Sequence, residues 1–392
     1  MQAVCMDIQK AFRASPLLPA HKSYVPISWR GNIYIDHVVP FGLSTACGIQ
    51  GIIADATVDI LAAHGYGPTH KWVDDFSLFR EPSDQGHISI TVDDQTFNYS
   101  YDLKDILHCT ALLGIPWHNV ATKGHDFQFN LTYVGFSWDL WKRTVALPEQ
   151  KRLRYLRRIA SFMMSRKTQL EPATRLHGTL QHITFVYVLG RSYLPALTRL
   201  ISKFDGNRFA YRYVDCAVTR DLDWWCTTLA CTNFSRSLLP RTTIDLNIWV
   251  DASTSWGVGL WINAQWAAWR LQPNWSKDGR DIGWLEIVAI ELAALWLSTQ
   301  NIYDSHIRIN SDNTGVISAL NKGRSRNPQR NKSIKRISMT LAPFNISLDP
   351  CYVASADNKA DSISCGEMGL PEDRLNVAFE LPSELKPFFV YD

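Results

Sequence analysis

Seven carboxylates occupy positions from which a fold can gather them: Asp7, Asp74 and Asp75 near the N-terminus, and Asp251, Glu286, Asp312 and Asp361 in the C-terminal half. Asp7 closes an apolar run at 3–6, and Asp74-Asp75 lie between Trp72-Val73 and Phe76-Ser77-Leu78-Phe79, which places each at the end or turn of a buried strand. Carboxylates crowded there repel one another unless cations neutralise them, and two divalent metals about 4 Å apart are the usual remedy in polymerases and nucleases. Taken singly, Asp74-Asp75 also suits a solvated hairpin turn, and Asp7 a helix N-cap. In the second group Glu286 is the most informative. Ala289, Ile290, Ala293 and Leu297 share its helical face, so its carboxylate is expected to face a sheet, where a buried acid needs a cation or a donor. Asp251 and Asp312 each end a strand-like run, and Asp361 opens a late helix. The four together at one sheet edge are what two-metal phosphodiester hydrolysis requires, although Asp251 and Asp312 also suit the capping of turns and helices. Glu291, off the Glu286 face, reads as an exposed acid.

The elements that must hold these acids fall into segments of different character. At 392 residues, 46% apolar and 12% aromatic, the chain has material for two or three packed units. Residues 1–142 read as α/β, with short apolar stretches at 24–29, 32–39 and 71–79 and a helix over 45–64. Residues 143–243 are mainly helical, with long patterns from 148 to 199 broken near Glu171-Pro172, and with Trp224 and Trp225 as core aromatics. Residues 244–366 give the order βββαβαβα, the second and third strands joined by a tight Asn263-Ala264 hairpin. Residues 367–392 form a tail. The expected class is α/β (α+β) multidomain.

The net charge of +3 is only mildly basic, so nucleic-acid binding has to come from local clusters. Between Lys151 and Lys167 there are seven basic residues, Arg154, Arg157 and Arg158 among them, and no acid. Leu153, Leu156, Ile159, Ala160 and Met163 form the apolar face of that helix, and its basic side either neutralises phosphates or is a solvated face. Residues 322–336 also hold seven basic residues and no acid, as a backbone grip or a mobile solvated loop. Trp256, Trp261, Trp266 and Trp269 read as packing. The eight cysteines contain no CxxC pair, which gives no structural zinc site and fits a reducing compartment. With no run of about 20 apolar residues and no signal-peptide pattern, neither a membrane span nor a signal peptide is expected, and the location is read as intracellular, cytoplasmic or nuclear.

Three motifs, Asp7-Ile8-Gln9-Lys10-Ala11-Phe12, Val39-Pro40-Phe41-Gly42-Leu43-Ser44-Thr45-Ala46 and Trp72-Val73-Asp74-Asp75, resemble in kind and order the palm of retroelement reverse transcriptases. The resemblance implies that Asp7 and Asp74 bind two Mg2+ (or Mn2+) ions with Asp75 in support. It further implies that Phe12 is the gate against a nucleotide 2′-hydroxyl, and that Pro40, Phe41 and Gly42 handle the template. Gly114-Ile115-Pro116 and Lys123 are similar to the next palm motif, Lys123 either assisting the leaving pyrophosphate or being a solvated lysine. Tyr133-Val134-Gly135-Phe136 resembles the hairpin that grips the primer. Leu176-His177-Gly178-Thr179-Leu180-Gln181-His182 and Gly190-Arg191 resemble the thumb and connection of the DIRS-like or long-terminal-repeat type, with His177 and His182 structural.

Val250-Asp251-Ala252-Ser253, Trp284-Leu285-Glu286-Ile287-Val288-Ala289, Ile309-Asn310-Ser311-Asp312-Asn313 and Asn358-Lys359-Ala360-Asp361-Ser362 resemble the ribonuclease H family. This implies Asp251, Glu286, Asp312 and Asp361 as ligands of two more ions. The usual histidine before the last acid is absent. The implied partners are RNA template, DNA primer, deoxynucleoside triphosphates and RNA–DNA hybrid, with no membrane; no motif speaks to oligomeric state. Only six residues precede Asp7, so the family's basic fingers are missing, the polymerase would lack its cationic clamp, and Met1 is alternatively not the true start. The competing expectation is a non-catalytic, domesticated or decayed nucleic-acid-binding remnant.

Overall fold

The apolar run at 2–7 becomes β1 (Gln2–Asp7), buried along its whole length because it is covered on both faces. Val4 and Met6 enter one core cluster with Leu61, Phe76, Leu78 and Ile106, while Ala3 and Cys5 enter another with Leu131 and Tyr133; the alternation of side chains along a strand divides them this way. The computed structural model describes residues 1–232 and 234–391. Its contacts divide the chain into two units, Met1–Pro148 with Phe234–Leu239, and Glu149–Asn233 with Pro240–Asp392.

In the first unit β1 is followed by the hairpin β2 (Pro26–Trp29) and β3 (Asn32–Ile35), helix α1 (Ala46–Ala63), and the hairpin β4 (Thr69–Trp72) and β5 (Asp75–Arg80). A second hairpin, β6 (Ile88–Val92) and β7 (Gln95–Tyr99), leads to α2 (Leu103–Ala111), which starts at a capping box between Asp102 and Asp105. Strands β8 (His125–Gln128), β9 (Asn130–Tyr133), β10 (Phe136–Asp139) and β11 (Thr144–Ala146) complete the unit's continuous part. The site-bearing sheet has the order β4-β5-β1-β8. Helix α1 has the length and composition of a membrane span, with mean hydropathy 1.4 over 18 residues, a pattern that the sequence reading does not anticipate. It is pinned to the sheet by Lys71, which donates to the Gly51 carbonyl at 2.9 Å and pairs with Asp55 at 2.8 Å.

The second unit begins with α3 (Glu149–Met163), β12 (Lys167–Thr168), α4 (Leu170–Ile183), α5 (Pro195–Ser202), β13 (Arg212–Tyr213) and α6 (Cys216–Ala230). Strand β14 (Ser235–Ser237) then returns to the first unit and pairs with β11. After it come β15 (Thr243–Ile244), β16 (Ile248–Ala252), β17 (Gly257–Ile262), β18 (Gln265–Leu271) and α7 (Ile282–Leu297). The chain continues through β19 (His306–Ser311), α8 (Thr314–Lys322), α9 (Pro328–Leu341), β20 (Ser347–Tyr352), α10 (Asp361–Ser364) and β21 (Phe389–Tyr391). Strands β16, β17 and β18 are antiparallel, and β19 runs parallel to β16 and β20. Asn263 and Ala264 both take positive φ at the β17–β18 turn, as a two-residue hairpin demands.

Several features differ from the sequence reading. The basic stretch 322–336 is not a loop over most of its length but the end of α8 and most of α9, an extra helix in the expected order. Ile334, Ile337 and Leu341 bury one side of it, and three of its cations face acids: Arg330 on Asp281, Lys335 on Asp221, Arg336 on Glu291. Glu291 is therefore buried rather than exposed, because α7 is covered by the sheet on one side and by α9 on the other. In α3 the buried positions are Arg152, Tyr155, Ile159 and Phe162, a face rotated from the expected one, with Arg152 donating to the Leu229 carbonyl at 2.7 Å. Residues 367–391 do not stand apart as a tail, since Leu375, Leu385 and Phe389 join the core and β21 pairs with β18.

Candidate metal centres

Asp7 and Asp75 stand opposite each other in the β1–β5 register, and Asp74 sits in the two-residue turn that joins β4 to β5. Within that turn Val73 holds φ +57°, a strained state for a β-branched residue. The three acids lie with carboxylate oxygens within 4.8 Å of one another. Burial, then the neighbouring Asp7 and Asp74, pushes the Asp75 carboxyl up to about 6. The loop before β8 brings two basic side chains: the Lys123 ammonium meets Asp7 Oδ2, and the His118 ring nitrogen Nε2 lies 3.4 Å from Oδ1. Lys123 is thereby held more firmly protonated. Gly124 permits this approach, since a Cβ there would stand 2.3 Å from the Cys5 carbonyl oxygen.

Around this centre the β9–β10 turn, Val134-Gly135, places Tyr133 so that its hydroxyl donates to the Asp75 carbonyl at 3.3 Å and bonds His70 Nδ1 at 3.0 Å. Phe12, in a short helical turn after β1, meets Phe41 edge to face with centroids 5.7 Å apart. Phe41 is exposed, Pro40 is half-buried, and Gly42 takes φ +91°.

In the second unit Asp251 near the end of β16, Glu286 in the second turn of α7 and Asp312 just past β19 also bring carboxylate oxygens within 4.8 Å. Asp361 is not in that group. It is exposed at the start of α10, near enough for its charge to raise Asp251. Burial is the larger cause of the rise of Asp251 to about 7 and of Glu286 to about 8. The donors are neutral. The fully buried Ser364 hydroxyl donates to Asp251 Oδ2, Asn358 Nδ2 donates to the Val250 carbonyl at 3.1 Å and approaches Asp251 Oδ1 at 3.4 Å, and the Asn313 side chain lies near enough to Glu286 to temper the rise of its carboxyl. Glycine at 259, opposite Asp251 in the β16–β17 register, is what lets α10 come this close: a Cβ there would stand 2.6 Å from the Ser364 nitrogen. Among the described residues Glu286 Oε2 is buried without a hydrogen-bond partner. Hard oxygen donors, mutual repulsion and an unpartnered carboxylate oxygen together fit a divalent cation such as Mg2+.

Arg154, Arg157 and Arg158 line one wall of a cavity of about 560 Å³ between α3 and the start of α4. Arg158 is partly engaged through a bond to Thr179. The supporting residues that sequence reasoning passed over are His118, Asn313 and Ser364. A signal for the last was present: Ser364 follows Asp361 by three residues, one turn along α10.

No family model and no curated protein matches the chain. Among solved structures, a foamy viral protease-reverse transcriptase in complex with RNA/DNA hybrid is 16% identical, covering 97% of this chain and 46% of its own, with a TM-score of 0.47. Two complexes of the foamy viral protein with double-stranded DNA are 16% and 17% identical. They cover 90% of this chain and 57% and 68% of their own, with TM-scores of 0.45 and 0.44. The chain spans about half the length of the first two. Likeness at this level leaves the function to the side chains.

Proposed function

We propose that the chain is the polymerase-to-ribonuclease-H part of a retroelement reverse transcriptase, of the DIRS-like or long-terminal-repeat type, and that its second centre cuts the RNA strand of an RNA–DNA hybrid. The observation that carries this reading is the buried gathering of Asp251, Glu286 and Asp312 with an unpartnered Glu286 oxygen. Asp251, Glu286, Asp312 and Asp361 would hold two Mg2+ or Mn2+ ions, which would supply an activated water and neutralise charge on the phosphate. The chain's own part is to hold the acids apart from bulk water and in register. Ser364 and Asn358 fix Asp251 by its two oxygens, Asn313 steadies Glu286, and Asp361, on the exposed side, is the fourth metal-binding acid. Hybrid selectivity comes from backbone shape and 2′-hydroxyl contacts rather than from reading bases.

In the first centre Asp7, Asp74 and Asp75 are the ligands for two ions in RNA-directed DNA synthesis on a DNA primer. There Lys123 is poised at the triphosphate side, Phe12 is the gate, and Pro40, Phe41 and Gly42 are the template face. Arg154, Arg157 and Arg158 neutralise phosphates. A second reading, a nucleic-acid-binding remnant without catalysis, is favoured at this centre by the Lys123 ammonium lying on Asp7. The deciding experiment is cleavage of a labelled RNA–DNA hybrid by the purified chain with Mg2+ or Mn2+, beside Asp312→Asn. Metal-dependent cutting that the substitution removes supports the nuclease; a folded, hybrid-binding chain that does not cut leaves the remnant.

A further inference from the structure

Between α5 and α6 the segment carrying Phe209, Tyr211 and Tyr213 leaves these rings 87%, 62% and 68% exposed. Three large rings within five residues are a concentration of apolar surface that solvent disfavours. Tyr211 lines the cavity whose other walls carry Arg154, Arg157, Arg158, Lys167 and Arg175. The cavity's lining holds one acid, Glu171, which already faces Arg175 at 4.0 Å. Tyr213 pairs with Lys167 in the β12–β13 register, and the Lys167 ammonium lies 4.6 Å from its ring centroid. Arg212, between the two tyrosines, turns inward and donates to the Lys203 carbonyl at 2.9 Å, which holds the segment in place and its rings outward.

We infer that this surface binds a single strand of nucleic acid, its phosphates in the arginine-lined cavity and its unpaired bases on Phe209 and Tyr211. Cations alone would suit any polyanion. Rings beside cations suit a strand whose bases offer free faces, since stacking and phosphate neutralisation are then satisfied together. A duplex hides those faces, and an acidic peptide leaves the rings idle. The inference rests on the nucleic-acid reading above and narrows it, but it involves neither carboxylate centre.

The test is fluorescence anisotropy of the full chain with a short labelled oligothymidylate, its abasic counterpart and a duplex of equal length. Phe209→Ala with Tyr211→Ala is expected to weaken oligothymidylate binding by roughly tenfold or more, and Tyr211→Phe, which keeps the ring, to bind like the wild type. Arg154→Ala with Arg157→Ala is expected to flatten the salt dependence. Both rings are exposed, and an unchanged melting curve confirms that the variant is folded. A chain that cuts hybrid yet binds oligothymidylate no better than the abasic strand, or whose ring substitutions weaken duplex binding as much as oligothymidylate binding, overturns the inference and leaves the proposed function standing. Displacement of the strand by polyglutamate at equal charge also overturns it. Ring-dependent binding by a chain that cuts nothing supports the inference and removes the catalytic reading instead.

Discussion

At the end of β1, Asp7 has Lys123 and His118 against it, whereas Asp251 in β16 is met by Ser364 and Asn358, which carry no charge. The first centre is thus partly neutralised from within the chain, with Asp7 buried at the end of β1 and Asp74 and Asp75 half-buried at the hairpin turn. The second is sunk between a sheet and a helix, with donors that orient its acids but do not cancel their charge. Of the two, the second has the greater need to import a cation, and the first has to displace one of its own before it can take a metal.

The sharpest way to break this contrast is to neutralise one acid in each centre. Asp312→Asn should lower hybrid cleavage on the order of 10²–10³-fold or more with an unchanged fold, while Asp74→Asn leaves cleavage as it is; a gel assay on labelled hybrid that gave the reverse pattern would sink the assignment. Next in size is Ser364→Ala, which strips a buried donor from Asp251. It should cost about 1–3 kcal/mol of stability in the second unit and raise the Mg2+ concentration needed for half-maximal cutting, with Ser364→Thr closer to wild type. Denaturant melts and a metal titration check both.

A third test uses pH. Glu286 is pushed up to about 8 from its ordinary 4.5, so the folded chain binds more protons than the unfolded chain between those values. The stability this lends is fully present below about pH 4.5 and is lost as pH rises through about 8. Asp251, raised to about 7, acts in the same direction. Without metal, melting should therefore fall by several degrees across that window, Mg2+ should restore it, and Glu286→Gln should flatten the curve. The smallest effect expected is that of Lys123→Ala. Because the lysine is half exposed, its loss should cost no more than about 1 kcal/mol, but it should enlarge the thermal gain from added Mg2+. An unaltered gain would mean that the first centre takes no metal.

The positions of the acids were legible because strand ends and a hairpin turn are local features: the run before Asp7 and the pair Asp74-Asp75 announce β1 and the β4–β5 turn, and the residues around Glu286 announce a buried helical face. What escaped depends on contacts distant in sequence. Helix α9 hides behind its own cations, whose partners Asp281, Glu291 and Asp221 lie 45 to 114 residues away. Glu291 reads as exposed only if the far side of α7 faces water, and no local pattern tells that α9 will cover it. The face of α3 departs from its sequence pattern for a related reason. Leu153 reads as core and Arg152 as solvent, yet the arginine reaches the buried Leu229 carbonyl while Leu153 is left exposed.

Strand β14 makes the covalent order of the chain differ from its order in space. After leaving the first unit at Pro148 the backbone comes back once, at Phe234–Leu239, before departing for good. Its residues Ser235–Ser237 cover the outer edge of β11, and the Leu238 amide bonds the Arg143 carbonyl at 2.8 Å. A fragment cut at 148 therefore carries a bare strand edge of unsatisfied N–H and C=O groups, a template for self-association, and one begun at 149 trails a strand with nothing to pair. Separating the two units for expression calls for grafting residues 234–239 after 148 and closing the gap left between 233 and 240.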